Sequence, residues 1–326
     1  MRDEGRRRWH QTLSVWLIGG LLVGLAACDS APAPANPTSA PLAPVPLKSG
    51  EKLRVVATTT IVGDVVRQVG GDAIALTVLL PTGTDPHTFQ ATPRDVAAIS
   101  QAHVVVASGA GLEEFLGKLI QNAGGRVPVV EASAGVPLRQ LAPGEREDPD
   151  QGVDPHTWFS PANVVTWTQN IARALSTLDP AHQDAYAANA AAYEKSLNEL
   201  DAWIKAQVET IPPARRKLVT DHKALGYFAD RYGFQVVGTV IEGFSTAAEP
   251  SAQEIARLEE QIRKEQVPAI FVGIDANPAL ARRIAEDTGA RVVPLYHGSL
   301  SAPGGEADSY LKLMRYDVTA IVGALR

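Results

Sequence analysis

The sequence predicts an α/β protein in which parallel sheets are covered by helices. Three observations carry this reading. Short β-branched runs alternate with helical stretches in the first half, the pattern of parallel strands joined by helical crossovers. The same alternation returns in the second half. Between the halves runs an amphipathic pattern from Asp179 to Ile211, unbroken by Gly or Pro from Ala181 to Ile211. A chain of 326 residues is long enough for about two domains.

Residues 1–28 read as a lipoprotein signal peptide. Arg2, Arg6, Arg7 and Arg8 make a basic start, and Leu13 to Ala27 is an apolar run too short for a comfortable membrane span. It ends in Leu25-Ala26-Ala27-Cys28. Small residues before a cysteine resemble the bacterial lipobox, where the cysteine is lipidated and becomes the mature N-terminus. Cys28 is the only cysteine, which excludes an internal disulfide. Residues 29–50 are rich in Ala and Pro and read as an extended tether that reaches roughly 60 Å at ~3.1 Å per residue. The expected location is therefore outside the cytoplasmic membrane, anchored to it by lipid at Cys28. A net charge of −6, with no basic stripe in the mature part, argues against a nucleic-acid partner.

The body divides into an N-terminal lobe (51–178), a connecting helix (179–211) and a C-terminal lobe (212–326). Strands are expected at Leu53–Thr60, Ile74–Leu80, Val104–Ser108 and Val127–Glu131. Thr92, Pro93 and Asp95 form the start signal of a helix. Residues 139–153 are polar and acidic and read as a surface loop. Ser160-Pro161 opens a helix with Val164, Trp167, Ile171, Leu175 and Leu178 on one face. The next pattern, Asp179 to Ile211, reads as one helix of about 32 residues, near 48 Å long at roughly 1.5 Å each. Beyond it, strands are expected at Lys217–Asp221, Gln235–Val240, Ala269–Ile274 and Arg291–Leu295. Ser251 with Glu254 caps one helix, and Asn277-Pro278 and Gly289 bracket another.

Histidine is scarce, at seven residues, yet two of them sit in a repeated frame: Asp85-Pro86-His87-Thr88 and Asp154-Pro155-His156-Thr157. Neutral imidazole is the commonest protein metal ligand. Proline stiffens each loop and biases the preceding aspartate toward extended backbone. Asp85 and Asp154 are placed to hold a ring N–H or to add negative charge near a cation. A third loop histidine, His222, follows the first strand of the second half. His103 reads as a structural residue and His182 as solvated.

At these residues the chain resembles the metal-binding lipoproteins of bacterial ABC importers for zinc and manganese. The carriers are Ala57-Thr58-Thr59, Gly83-Thr84-Asp85-Pro86-His87-Thr88, Gly109 with Glu113, and Asp154-Pro155-His156-Thr157-Trp158. His222-Lys223-Ala224-Leu225-Gly226-Tyr227-Phe228, Tyr232-Gly233, Glu249-Pro250-Ser251 and Tyr310 to Tyr316 complete the match. The resemblance implies two parallel-sheet lobes joined by a single long rigid helix, with a metal site in the interlobe cleft. It implies that His87, His156 and His222 are ligands, that the protein is not an enzyme, and that a monomer delivers its ion to an ABC permease. Manganese members commonly carry glutamate at the third position, so His222 points to Zn²⁺. Imidazole suits Zn²⁺, whereas carboxylate suits Mn²⁺.

The family's fourth ligand, an acid after the last strand, falls here on Gly298. His297, Asp275 and water are left as candidates for that place, with Asp85 and Asp154 in supporting positions. Affinity is expected to fall below about pH 6, near the reference imidazole pKa of roughly 6.5. The competing readings are a Mn²⁺-binding member of the same family, a zinc enzyme with an open fourth coordination position, and a surface adhesin lipoprotein.

Overall fold

In a computed structural model, residues 41–140 and 152–326 are described; the signal segment, Cys28, the first part of the tether and residues 141–151 lie outside them. Two four-stranded parallel sheets form the frame. In the first, β1 (Leu53–Ala57), β2 (Ile74–Val78), β3 (Val104–Ala107) and β4 (Val129–Glu131) lie in the order β2-β1-β3-β4. In the second, β5 (Lys217–Thr220), β6 (Gln235–Thr239), β7 (Ala269–Gly273) and β8 (Arg291–Leu295) repeat that order as β6-β5-β7-β8. β1 and β5 are thus counterparts, each flanked on both sides at the point where the chain order reverses. Ligands in open α/β sheets collect at the carboxyl ends of such strands.

The strand residues divide by parity between two apolar layers. Leu53, Val55 and Ala57 join one core with Val104 and Val106, while Val56, Val105 and Ala107 face another. Leu218, Ala269 and Phe271 belong to the first core, and Val219, Ile270 and Val272 to a third. This alternation is the period-two geometry of a strand buried on both faces. The shared core therefore runs through both lobes. It is filled by the inner faces of α1 (Thr60–Gly70), α4 (Pro161–Leu178), α5 (Gln183–Glu209) and α9 (Tyr310–Leu325).

The capping signals act as expected. The Asp95 carboxylate accepts from the N–H and hydroxyl of Thr92 at the start of α2 (Pro93–Gln101). Ser251 and Glu254 exchange hydrogen bonds at the start of α7 (Ala252–Glu265). Pro161 stands at the first position of α4, whose five expected apolar residues are all buried.

The connecting helix is shorter than its sequence pattern. A 3₁₀ turn, Pro180–His182, precedes it, and α5 begins only at Gln183, giving 27 residues. The cause is local: the Asp179 carboxylate takes His182 Nδ1 at 2.7 Å and the Tyr186 hydroxyl at 2.8 Å, which tightens the entry. Tyr186, Tyr193, Leu197, Leu200, Ile204 and Val208 face inward. The helix packs on α1 and α4 at one side and on α9 at the other, so it joins the two halves.

The body also begins before residue 51. Leu42, Val45 and Leu47 pack on the shared core, and the Val45 N–H donates to the Leu178 carbonyl at 2.8 Å. The last part of the expected tether is therefore docked.

Asn198 is exposed near the middle of α5. Asn198→Pro removes a helical hydrogen bond and adds a clash, at a cost of about 3 kcal/mol or more. Thermal unfolding should register this as a clear drop in midpoint. A variant that melts like the wild type would show that α5 does not hold the lobes together.

Candidate metal site

Three loops bring the histidines together. His87 lies between β2 and α2, His156 just before α4, and His222 immediately after β5. His222 thus follows the counterpart of β1, whereas His87 follows an edge strand. The Nε2 atoms of His87 and His156 are 3.2 Å apart, and those of His222 and His156 are 3.1 Å apart. Ligands about 2.0–2.1 Å from a tetrahedral zinc lie about 3.3–3.4 Å from one another. The two pairs that include His156 have nearly that spacing, and ligand nitrogens of all three lie within 4.8 Å of one another. They line a cavity of ≈ 10 Å³ with Trp158, Asp275 and His297, which is room for about one water-sized occupant. A larger cavity of ≈ 360 Å³, lined in part by Arg139, Lys223 and Gln261, contains none of these histidines.

The two Asp-Pro-His loops share one backbone device. Asp85 Oδ1 accepts the His87 N–H at 2.9 Å, and Asp154 Oδ1 accepts the His156 N–H at 3.0 Å. Beyond that turn the aspartates diverge. Asp154 Oδ1 also stands 2.9 Å from His156 Nδ1, which fixes the ring with Nε2 toward the other histidines. Asp85 makes no such ring contact; its other oxygen accepts the hydroxyl of Thr246 from the second lobe. Asp154 Oδ2 pairs with Arg139 at 2.9 Å, and Arg139 in turn reaches Asp230 at 2.6 Å. Burial pushes the Asp154 carboxyl up to about 7, opposed by the His156 N–H and the Arg139 guanidinium.

Burial also favours the neutral form of two of the histidines. It lowers His87 from 6.5 to about 4, with further lowering from His222. Burial, then His222, His87 and His297, hold His156 well below 6.5. Unprotonated nitrogen is the form that binds metal.

The remaining candidates separate clearly. Asp275 lines the cavity, but its Oδ2 accepts the Gly298 N–H at 3.1 Å, and it joins neither group of mutually close ligand atoms. A Cβ on Gly298 would lie 2.8 Å from Asp275 Oδ2 and from Pro86 Cδ, so a side chain there would displace both. His297 is 2 % exposed and belongs to a second close group with Asp221 and His222. Its carbonyl accepts from Trp158 Nε1 at 2.9 Å. His103 is structural, its Nδ1 accepting the Arg54 N–H at 3.1 Å, and His182 is the half-exposed partner of Asp179. Sequence reading missed Asp221, Arg139 and Thr246.

Residues 55–324 match the family model of ZnuA, the periplasmic zinc-uptake complex component A. The chain belongs to this family. The manganese-binding lipoprotein MntA of Halalkalibacterium halodurans is 33% identical over 279 residues, covering 85% of this chain and 90% of its own. The periplasmic zinc-binding protein TroA of Treponema pallidum superposes with a TM-score of 0.77 at 27% identity, covering 84% of this chain and 99% of that one. The Mn-bound periplasmic metal-binding protein of Candidatus Liberibacter asiaticus gives a TM-score of 0.75 at 27% identity, covering 85% of this chain and 100% of that one. The protein is accordingly a substrate-binding component of a metal ABC transporter, and not an enzyme.

The depressed His87 value fixes the sign of a pH effect. The unfolded chain takes up this proton near 6.5 and the folded one only near 4. The group's contribution to stability is present above about pH 6.5 and is lost as pH falls toward about 4. Denaturant unfolding of metal-free protein between pH 7 and 4.5 should show this decline, and His87→Gln should flatten it. An unchanged slope in that variant would exclude His87 as a source.

Proposed function

We propose that the protein captures Zn²⁺ outside the cytoplasmic membrane, through His87, His156 and His222, and passes it to an ABC permease. The observation that carries this reading is the convergence of three histidine nitrogens around a cavity of one-ion size. The donor set favours Zn²⁺ over Mn²⁺, because imidazole nitrogen suits zinc and Mn²⁺ is the weakest first-row divalent ion at a given N/O/S site. The names of MntA and of the Mn-bound neighbour speak for Mn²⁺ in relatives, and that is the second reading. Water takes the fourth position, and Asp275 lines the cavity beside it. Asp154 supports His156 from behind, and Asp85 supports the loop of His87. The lobes on either side of the connecting helix act as the two arms of the site, in a monomer.

Burial lowers His87 and His156, so protons compete for these two ligands only below the free-histidine range. Their part of the affinity should be lost as His87 titrates near 4.

The ligand set is tested by alanine variants. Each single histidine replacement should weaken Zn²⁺ binding more than Asp85→Asn or Asp154→Asn, whose loss is about 10–100-fold if they act from behind the ligands. Competition titration with a chromophoric chelator reads both, and one ion per chain is the expected stoichiometry. A folded His87/His156/His222 triple alanine variant with wild-type Zn²⁺ affinity would end the assignment. Mn²⁺ bound more tightly than Zn²⁺ would favour the second reading.

Anchoring is a separate proposal and rests on Cys28. Cys28→Ala should abolish lipid labelling and release the protein from membranes. Normal processing and membrane retention of that variant would refute it.

A further inference from the structure

We propose that Asp221 both aims and charges the metal pocket: it fixes His222 for ligation, and its carboxylate is the anion that answers the bound cation. This rests on the three-histidine reading above. Asp221 sits at the carboxyl end of β5, and both of its oxygens are held by backbone. Oδ1 accepts the His222 N–H at 2.8 Å, and Oδ2 accepts the Gly273 N–H at the end of β7, also at 2.8 Å. The same Oδ1 lies 2.8 Å from His222 Nδ1. When Nδ1–H donates to Asp221, the free lone pair of the ring is on Nε2. That is the atom 3.1 Å from His156 Nε2.

Asp154 performs the same service for His156, but its charge is already met by Arg139 at 2.9 Å. Among the described residues Asp221 has no ion-pair contact with a lysine or arginine; its ionisable contacts are His222 and His297, the latter through Nδ1 at 3.2 Å. It is 6% exposed, so solvent screens it little. A doubly charged ion on His222 Nε2 therefore finds in Asp221 a nearby carboxylate with no guanidinium or ammonium partner. The cradle also depends on Gly273. A Cβ there would fall 2.5 Å from Asp275 Oδ1, 3.2 Å from His297 Nδ1 and 3.3 Å from Asp221 Oδ2. Three polar side chains meet over a residue that has none.

Asp221→Asn removes the charge while its amide oxygen still accepts the Nδ1–H, at the cost of an NH₂ group set against the Gly273 N–H. Zn²⁺ affinity of the folded variant should fall about 10–100-fold, and the melting temperature of the metal-free protein should fall modestly because the Gly273 N–H loses its acceptor. Asp221→Ala should lose more affinity and change the intensity of the d–d absorption bands of the Co²⁺-loaded protein, because His222 is no longer aimed. Wild-type affinity in Asp221→Asn overturns the proposal. So do unchanged Co²⁺ bands in Asp221→Ala, since they mark a residue that does not aim His222. If Asp221→Asn binds normally while His156→Ala does not, this inference fails and the three-histidine reading stands. If the triple alanine variant binds Zn²⁺ normally, both fall.

Discussion

His156 Nε2 can stand 3.1–3.2 Å from the Nε2 atoms of both His87 and His222, from two separate lobes, only if the lobes are held in fixed register. One apolar core supplies that constraint. It contains Leu53 and Val104 from the first sheet, Leu218 and Phe271 from the second, and the inner faces of α5 and α9. Each fully buried Val, Leu or Phe contributes roughly 1.5–3 kcal/mol. A net hydrogen bond contributes about 0.5–1.5 kcal/mol. Apolar burial therefore fixes the lobes, and the polar contacts between them set direction rather than strength.

Those contacts concentrate on the stretch after β8. The Leu300 N–H donates to Thr60 Oγ1 at 2.8 Å, and the Gly83 N–H donates to Ser299 Oγ at 2.8 Å. Asp64 in α1 accepts the Tyr310 N–H at the first turn of α9, at 2.9 Å. The Tyr310 hydroxyl returns to the Trp158 carbonyl at 2.7 Å, while Trp158 Nε1 holds the His297 carbonyl. Residues 297–310 follow a strand of the second sheet, yet these bonds tie them to the first lobe. The floor of the pocket is thus shared by both halves.

Much of this was legible in the sequence. Strand positions, the caps at Thr92 and Ser251, and the buried face of α4 follow from local periodicity and local hydrogen bonding, and they came out within a few residues. The repeated Asp-Pro-His frame encodes a backbone turn, and both copies make it. What the ring of each histidine meets next is a tertiary matter, so Asp154 and Asp85 took different partners from identical local sequence. Asp221 left no separate signal because it adjoins His222 and ends a strand like any polar residue. Arg139 stood in a polar stretch without period, and its pairing with Asp154 spans a loop whose ends meet only in the fold, at the Gln140–Val153 bridge. The helix start was placed too early because Asp179-Pro180 reads as a helix-opening signal, while the carboxylate of Asp179 tightens the backbone there into a 3₁₀ turn.

The proposed donor set also explains how an ion can be held and then given up. A structural zinc is closed by four protein ligands. In the proposed site three imidazole nitrogens would meet the ion, and carboxylates stand one hydrogen bond behind: Asp154 on His156, Asp221 on His222. Two of the nitrogens come from the first lobe and one from the second. Parting the lobes by even an ångström or so would take His222 out of reach of a metal–nitrogen bond of about 2.0–2.1 Å, together with the charge of Asp221. The ion would keep two imidazoles and the Arg139-neutralised Asp154, a poor environment for a dication. On that proposal capture and release would share one coordinate, the separation of the lobes, which the shared apolar core resists.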